Sequence, residues 1–403
     1  MDILENYNLK YNFGENYQSR VSNLLNEMLN GSNDLFAKQL QNGQIGNVKS
    51  EYVEMLSFIK NVEEYLYYYK DNPNFNNILN SVSSIKKISV LPVNSRGIYG
   101  QAFAEENTLL ISPVLGASST LTHEERTRLY VAHELGHIVN HSWQNTVEKF
   151  LNSRVNEGEM TLEEKELYQE GFNMLDESIT QNNAENFAYA FAGKSRPNKQ
   201  YRSSNAGIFG NTPYLSNYDF YGEYQMPAVK FAKTLRGIGR YDNDDIALNM
   251  LGQRAMSPFF ALDIMDEYDK DNQYENLLNL LTNMGIIKKA GYAAFGYDDR
   301  AYIQDSQRAL NDFNNLADRM REYRDIEGTI NTSGMPSGQT VDETLANRAM
   351  NYQNRLNSFQ TTPQEISALT SRTIAQNPGF LSRSIAKVKD VIKKIKNLFD
   401  KER

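Results

Sequence analysis

The chain has 403 residues, 40% of them hydrophobic, enough for one large core or two moderate ones, which excludes a wholly disordered polymer. Its 42 basic and 50 acidic residues leave a net charge of −8, which argues against nucleic acid as the main partner. Cysteine is absent, so disulfides and thiol catalysis are both excluded. The N-terminal stretch MDILENYNLKYNFGENY has neither a basic n-region nor an apolar h-region. No segment approaches the ~20 apolar residues of a spanning helix, so a cytoplasmic location is expected.

Residues 1–80 are predicted to be helical, because NYQSRVSNLLNEMLN and EYVEMLSFIKNVEEYLYYYK carry apolar residues at three- and four-residue intervals. The dense tyrosines Tyr65, Tyr67, Tyr68 and Tyr69 are read as packing residues. From about Lys87 the pattern changes to short strands: ISVLPV, GIYGQAFAEE and NTLLISP.

Next comes a helix that opens with a capping box, Thr122 and Glu125, and takes its apolar surface from Leu129, Val131, Ala132, Leu135, Ile138 and Val139. The segment Thr122–Trp143 holds all four histidines of the chain, and His133-Glu134-Leu135-Gly136-His137 is an H-E-x-x-H motif. Residues i and i+4 share one helix face a single turn apart, so both imidazoles can reach one ion. That arrangement suits Zn²⁺, with Glu134 outside the coordination sphere as the base that deprotonates an attacking water.

On these residues the chain resembles the zincin metallopeptidases. The metzincin pattern does not fit, since Asn140 stands where that group has glycine and His141 comes too early. His141 continues the same face and is expected to line the cleft. With no other histidine and no cysteine, the third protein ligand is expected to be a carboxylate, as in gluzincins. Two glutamates on the next ligand helix compete. Glu177 follows Asp176 and resembles the thermolysin-type pattern, with Gln181 as the group that orients a ligand imidazole. Glu185 instead resembles the E-x-x-A-x-x-F-A run of ImmA/IrrE-like peptidases, with Ala188, Phe191 and Ala192 in register, and is similar to the anthrax lethal factor helix. Eight residues separate the two glutamates, about 12 Å of helical rise, so one ion cannot hold both. We assign His133, His137 and Glu177 to the metal and Glu134 to catalysis, with Glu185 as the alternative ligand.

The resemblance implies an α+β fold: a zincin-like core with a small twisted sheet and a mostly helical remainder. It implies a zinc-dependent peptidase acting on a peptide or protein. It also makes Asn107–Pro113 the edge strand that receives an extended substrate. The stretch QNTVEKFLNSRVNEGEMTLEEKELYQEGFNM reads as a polar, partly helical insertion between the ligand helices, with a second capping box at Thr161 and Glu164. Without a further histidine, the oxyanion donor is expected among Tyr201, Arg202, Tyr218, Tyr221 or a backbone N–H.

The regions are therefore 1–80, N-terminal helices; 81–200, catalytic core; 201–326, cleft loop and helical subdomain; 327–342, linker; and 343–403, helical tail. Asp266, Glu267, Asp269 and Asp271 lack calcium-loop spacing and read as a helix end. In the tail, Ile385, Val388, Ile392, Ile395 and Phe399 form an apolar stripe flanked by lysines, a pattern compatible with a membrane surface or a partner protein. The competing functional reading is a non-catalytic binding protein with a structural or vestigial zinc site.

Overall fold

Apolar residues three and four apart generate the first helices of the computed structural model, which describes residues 3–90, 100–103, 107–112, 121–196, 217–271, 273–294 and 301–331. Helix α1 (Gln18–Gln41) buries Val21, Leu25, Met28 and Leu29, and α2 (Val48–Tyr68) buries Met55, Ile59, Val62 and Leu66. Asn47 caps α2 by accepting from the Ser50 N–H. The tyrosines at its end are packed as expected, with Tyr65 and Tyr68 in edge contact with Phe187 and with Tyr69. A short α3 (Phe75–Val82) follows.

The sheet has three strands, β1 (Lys87–Val90), β2 (Gly100–Phe103) and β3 (Thr108–Ile111), in the order β1-β3-β2. β1 pairs with β3 in parallel, Ile88 opposite Leu109, and β2 pairs with β3 antiparallel, Ala102 opposite Leu109. The expected edge strand at 107–113 is thereby corrected. β3 is the central strand, its residues Leu109 and Ile111 fully buried, and β2 is an edge strand among the described residues. Strand order depends on which non-local partners a strand meets, and a sequence read along its length does not contain that.

Two long helices carry the centre of the molecule, α4 (His123–Asn156) and α5 (Leu162–Phe191). Both expected capping boxes are present: the Thr122 and Thr161 side chains accept from the N–H of Glu125 and Glu164, whose carboxylates reach back. The insertion expected between the ligand helices proves to be their continuation, leaving only a turn in which Gly158 takes φ of +72°. What sustains this length is a second core. Trp143, Val147 and Leu151 of α4 and Phe172, Leu175 and Ile179 of α5 are buried there. Each such side chain contributes about 1.5–3 kcal/mol.

The remaining helices are α6 (Asn217–Lys233), α7 (Asp244–Ala255), α8 (Phe260–Lys270), α9 (Tyr274–Ala294) and α10 (Ala301–Asn331). Helices α7 and α8 are separated by Met256–Phe259, around Pro258. Acidic residues near the end of α8 are ion-paired, Asp266 with Lys270 and Glu267 with Arg254, in keeping with a helix end.

The two cores divide α4 and α5 crosswise. Residues 129–139 of α4 and 184–189 of α5 belong to the core shared with α1–α3 and the sheet; residues 143–151 and 168–179 belong to the core shared with α6–α10. Packing is thus continuous across the region boundaries expected at 80 and 200. The chain divides into two compact units, Met1–Met335, which contains every described residue, and Pro336–Arg403. α10 overruns the start of the expected linker at 327–342. The basic helix expected in the tail lies outside the described residues. Among the described residues no helix is long and apolar enough to cross a membrane.

Candidate metal centre

The motif sits in the middle of α4, where the helix passes from one core to the other. On its buried face, Gly136 lets α5 approach closely: a Cβ at this position would stand 2.7 Å from Thr180 Cγ2. This contact brings the middle of α5, residues 176–181, alongside His133 and His137.

His133 Nε2 and His137 Nε2 lie 3.1 Å apart, and Glu177 Oε2 is 3.7 Å from each. His133 is buried and the other two are partly exposed. These three side chains form the one such donor group found among the described residues and could hold a metal ion. Glu185, the alternative ligand, lies outside it. One Glu185 oxygen accepts from Gln181 Nε2 at 2.7 Å and the other is 2.9 Å from Arg196 Nη2.

The His137 imidazole is held by a carboxylate of α5. Asp176 Oδ2 is 2.6 Å from His137 Nδ1, while its Oδ1 accepts from Asn140 Nδ2 at 2.8 Å and from the Thr180 hydroxyl at 3.4 Å. Gln181, the residue expected to orient an imidazole, donates instead to Glu185, Nε2 to Oε1 at 2.7 Å. Asp176 itself escaped the sequence reading, where it served only to recognise Glu177. The available signal was Asn140, three residues after His137 on the same helix and polar at a position that is buried.

Glu134 projects toward β2 rather than toward α5. The Ala102 backbone N–H donates to its carboxylate, and a Cβ on Gly100 would stand 2.5 Å from Glu134 Oε1. Gly100 was also not singled out from sequence. A glycine inside a strand pattern is the signal that something approaches the backbone there.

Burial and charge separate the titrations of these groups. Burial, reinforced by the nearby His137 charge, lowers His133 to about 4. Burial raises Glu134 to about 7, with the Glu177 charge adding to it and His137 and the Ala102 N–H opposing. For His137, burial acts downward but is outweighed by Asp176 and Glu177, which carry it to about 10. Asp176 is held below the usual carboxylate range: burial acts upward and loses to His137 and to the hydrogen bonds from His137 and Asn140.

An open cleft of about 500 Å³ runs over the donors, walled by Gly100, Gln101 and Ala102 of β2 and by His141, Gln144 and Asn173 of the two helices. His141 therefore lines the cleft, as expected, and stays outside the donor group. Lys288 of α9 also reaches the cleft, 3.5 Å from Glu170. Tyr201 and Arg202, two of the expected oxyanion donors, lie outside the described residues, as do the side chains of Tyr218 and Tyr221.

Compared with known protein families, curated proteins and solved structures, the chain matches none.

Proposed function

We propose that the chain is a zinc-dependent metallopeptidase of the gluzincin kind, with His133, His137 and Glu177 as metal ligands and Glu134 as general base. The observation that carries this reading is the disposition of four side chains around one cleft: three donors converge on a point and a buried carboxylate, held by a different element, stands beside them. Tetrahedral zinc with bonds of about 2.0–2.2 Å spaces its donors roughly 3.3–3.6 Å apart. The separations of 3.1, 3.7 and 3.7 Å bracket that range.

Bound there, zinc supplies Lewis acidity to a water and to the scissile carbonyl. The chain's own groups do the rest. Asp176 fixes the His137 imidazole, so that this ligand need not reorient to bind. Glu134, with a proton affinity brought near neutrality by burial, takes the proton of the attacking water and returns it to the leaving amine. The Ala102 N–H keeps its carboxylate aimed into the cleft. Because β2 is an edge strand among the described residues and three of its residues wall the cleft, an extended peptide pairs with it by main-chain hydrogen bonds. A purely structural zinc site closes with four protein ligands. Three donors beside an open cleft favour catalysis over that alternative.

The test is zinc content and cleavage of a diverse peptide pool, measured on wild type and Glu134→Gln. One zinc in both proteins with cleavage only in wild type is the expected result. Wild type that binds no zinc after metal is added back overturns the reading, and zinc without cleavage in wild type returns the site to a structural role.

A further inference from the structure

One charged side chain reaches the cleft from a third element. Among the described residues that line the cleft, Lys288 of α9 is the one lysine or arginine. Backbone packing sets its place: α9 and α5 touch through Gly285 and Gly171, where an added Cβ would overlap the carbonyl oxygens of Leu167 and Leu281. Lys288 follows Gly285 by three residues, almost one turn, so the part of α9 that lies tightest against α5 carries it. The next lysine makes a useful contrast. Lys289 pairs with Glu166 and forms no part of the cleft wall, whereas Lys288, with Nζ 3.5 Å from Glu170 Oε2, does.

Only 4% of the Lys288 side chain is exposed. Little water screens its charge, so the ammonium acts on the cleft more strongly than one on an open surface. Asn173 also lines the cleft, three residues after Glu170 on α5. Its Oδ1 accepts from Gln169 Nε2 at 3.4 Å, which leaves its NH₂ to donate. A cation and an amide donor together match a carboxylate. Glu170 precedes the donor Glu177 by seven residues on the same face of α5, about 10 Å of rise. An extended peptide advances about 3.3 Å per residue, so a carboxylate held by Lys288 belongs to a residue roughly two or three from the bond being cut.

We propose that Lys288 and Asn173 form a subsite for a carboxylate of the substrate, which makes acidic peptides the preferred class. An aspartate or glutamate side chain and a peptide C-terminus both supply that chemistry, and the experiment tells them apart. The inference rests on the reading of the cleft as a peptidase site, and its test separates the two.

The 403-residue chain is compared with Lys288→Met and with a double variant, Lys288→Glu with Glu170→Lys, which keeps an ion pair between α9 and α5 should the first variant fail to fold. Zinc content checks that the centre is intact. Cut sites in a diverse peptide pool, read by mass spectrometry, supply a preferred sequence. Versions of it with Glu, Gln or Lys at the selected position, each with a free or an amidated C-terminus, then give kcat/KM ratios. We expect wild type to favour Glu over Gln by about tenfold, the low end of what a hydrogen bond to a charged group contributes. In Lys288→Met the ratio should fall to about one, and the double variant should favour Lys. A preference that survives amidation comes from the side chain, and one that vanishes comes from the C-terminus. No acidic preference in wild type, or a ratio that Lys288→Met leaves unchanged, overturns the proposal. Should wild type hold zinc and cut nothing, binding is measured with a dansyl-labelled alanine hexapeptide bearing two glutamates and with its glutamine counterpart. Tighter binding of the acidic peptide that Lys288→Met abolishes keeps the subsite while the peptidase reading falls; equal binding of the two overturns both.

Discussion

Asp176 grips His137 by the ring nitrogen that does not face His133, Oδ2 to Nδ1 at 2.6 Å, and the same carboxylate is anchored by Asn140. The contact has a consequence for the metal-free protein. A histidine raised from 6.5 to about 10 stabilises the fold fully below pH 6.5, and that stability is lost as pH rises through 10. His133, lowered to about 4, and Glu134, raised to about 7, act at lower pH and in opposite senses, so the window above pH 7 belongs to His137. Chelator-treated protein should therefore melt at a lower temperature at pH 9.5 than at pH 7. Asp176→Asn should flatten that slope, and an equal slope in both proteins would show that His137 is not its source.

Glu177→Gln tests the third ligand. An amide oxygen is a far poorer zinc donor than a carboxylate, so affinity should fall by more than the 10–100-fold, roughly, that a group outside the coordination sphere contributes. Glu185→Gln should keep zinc under conditions where Glu177→Gln has lost it. Elemental analysis after dialysis ranks the two, and the reverse order would exchange their roles.

At Gly100 the added methyl of alanine meets Glu134 Oε1, Cγ and Cδ at 2.5–2.8 Å. Those atoms are the end of a flexible side chain, so the chain folds and Glu134 moves off its station. Gly100→Ala should bind zinc like wild type and lose about 100-fold or more in peptide hydrolysis, the contribution of a positioned base. Wild-type turnover would mean that Glu134 works from elsewhere.

Gly136→Ala sets two effects against each other. Alanine favours the helix by about 1 kcal/mol. Its methyl, however, meets Thr180 Cγ2 at 2.7 Å, and Thr180 is fully buried. Overpacking of this kind costs roughly 1–3 kcal/mol, so the net effect is destabilising. Thr180→Ser removes the offending methyl, and the double variant should recover most of the loss in urea denaturation. Simple additivity of the two single variants would count against the contact.

The α4 start, the spacing of His133 and His137, and the choice of Glu177 were legible because each is a property of one helix, fixed by three or four residues of separation. Asp176 was not, because its meaning depends on Asn140 reaching it from another helix. Gly100 and Ala102 act on Glu134 across the gap between strand and helix, and β3 occupies the centre of the sheet through pairing with β1, twenty-one residues earlier. The lengths of α4 and α5 were legible only in part, for a different reason. Their apolar faces change sides where the cores meet, so neither helix shows one continuous stripe.

That crossing of the cores also bears on how replaceable the ion is. The donors are braced by Trp143, Phe172 and Ile179 on one side and by Leu135, Phe187 and Ala188 on the other, all fully buried. In small zinc modules the ion is the fold's keystone and its removal unfolds the chain. Here side-chain packing supplies the scaffold, so the cage should accept ion exchange without dismantling the protein. Cobalt, visible where zinc is colourless, could then be exchanged in as an optical reporter, its absorption following the coordination shell as peptides enter.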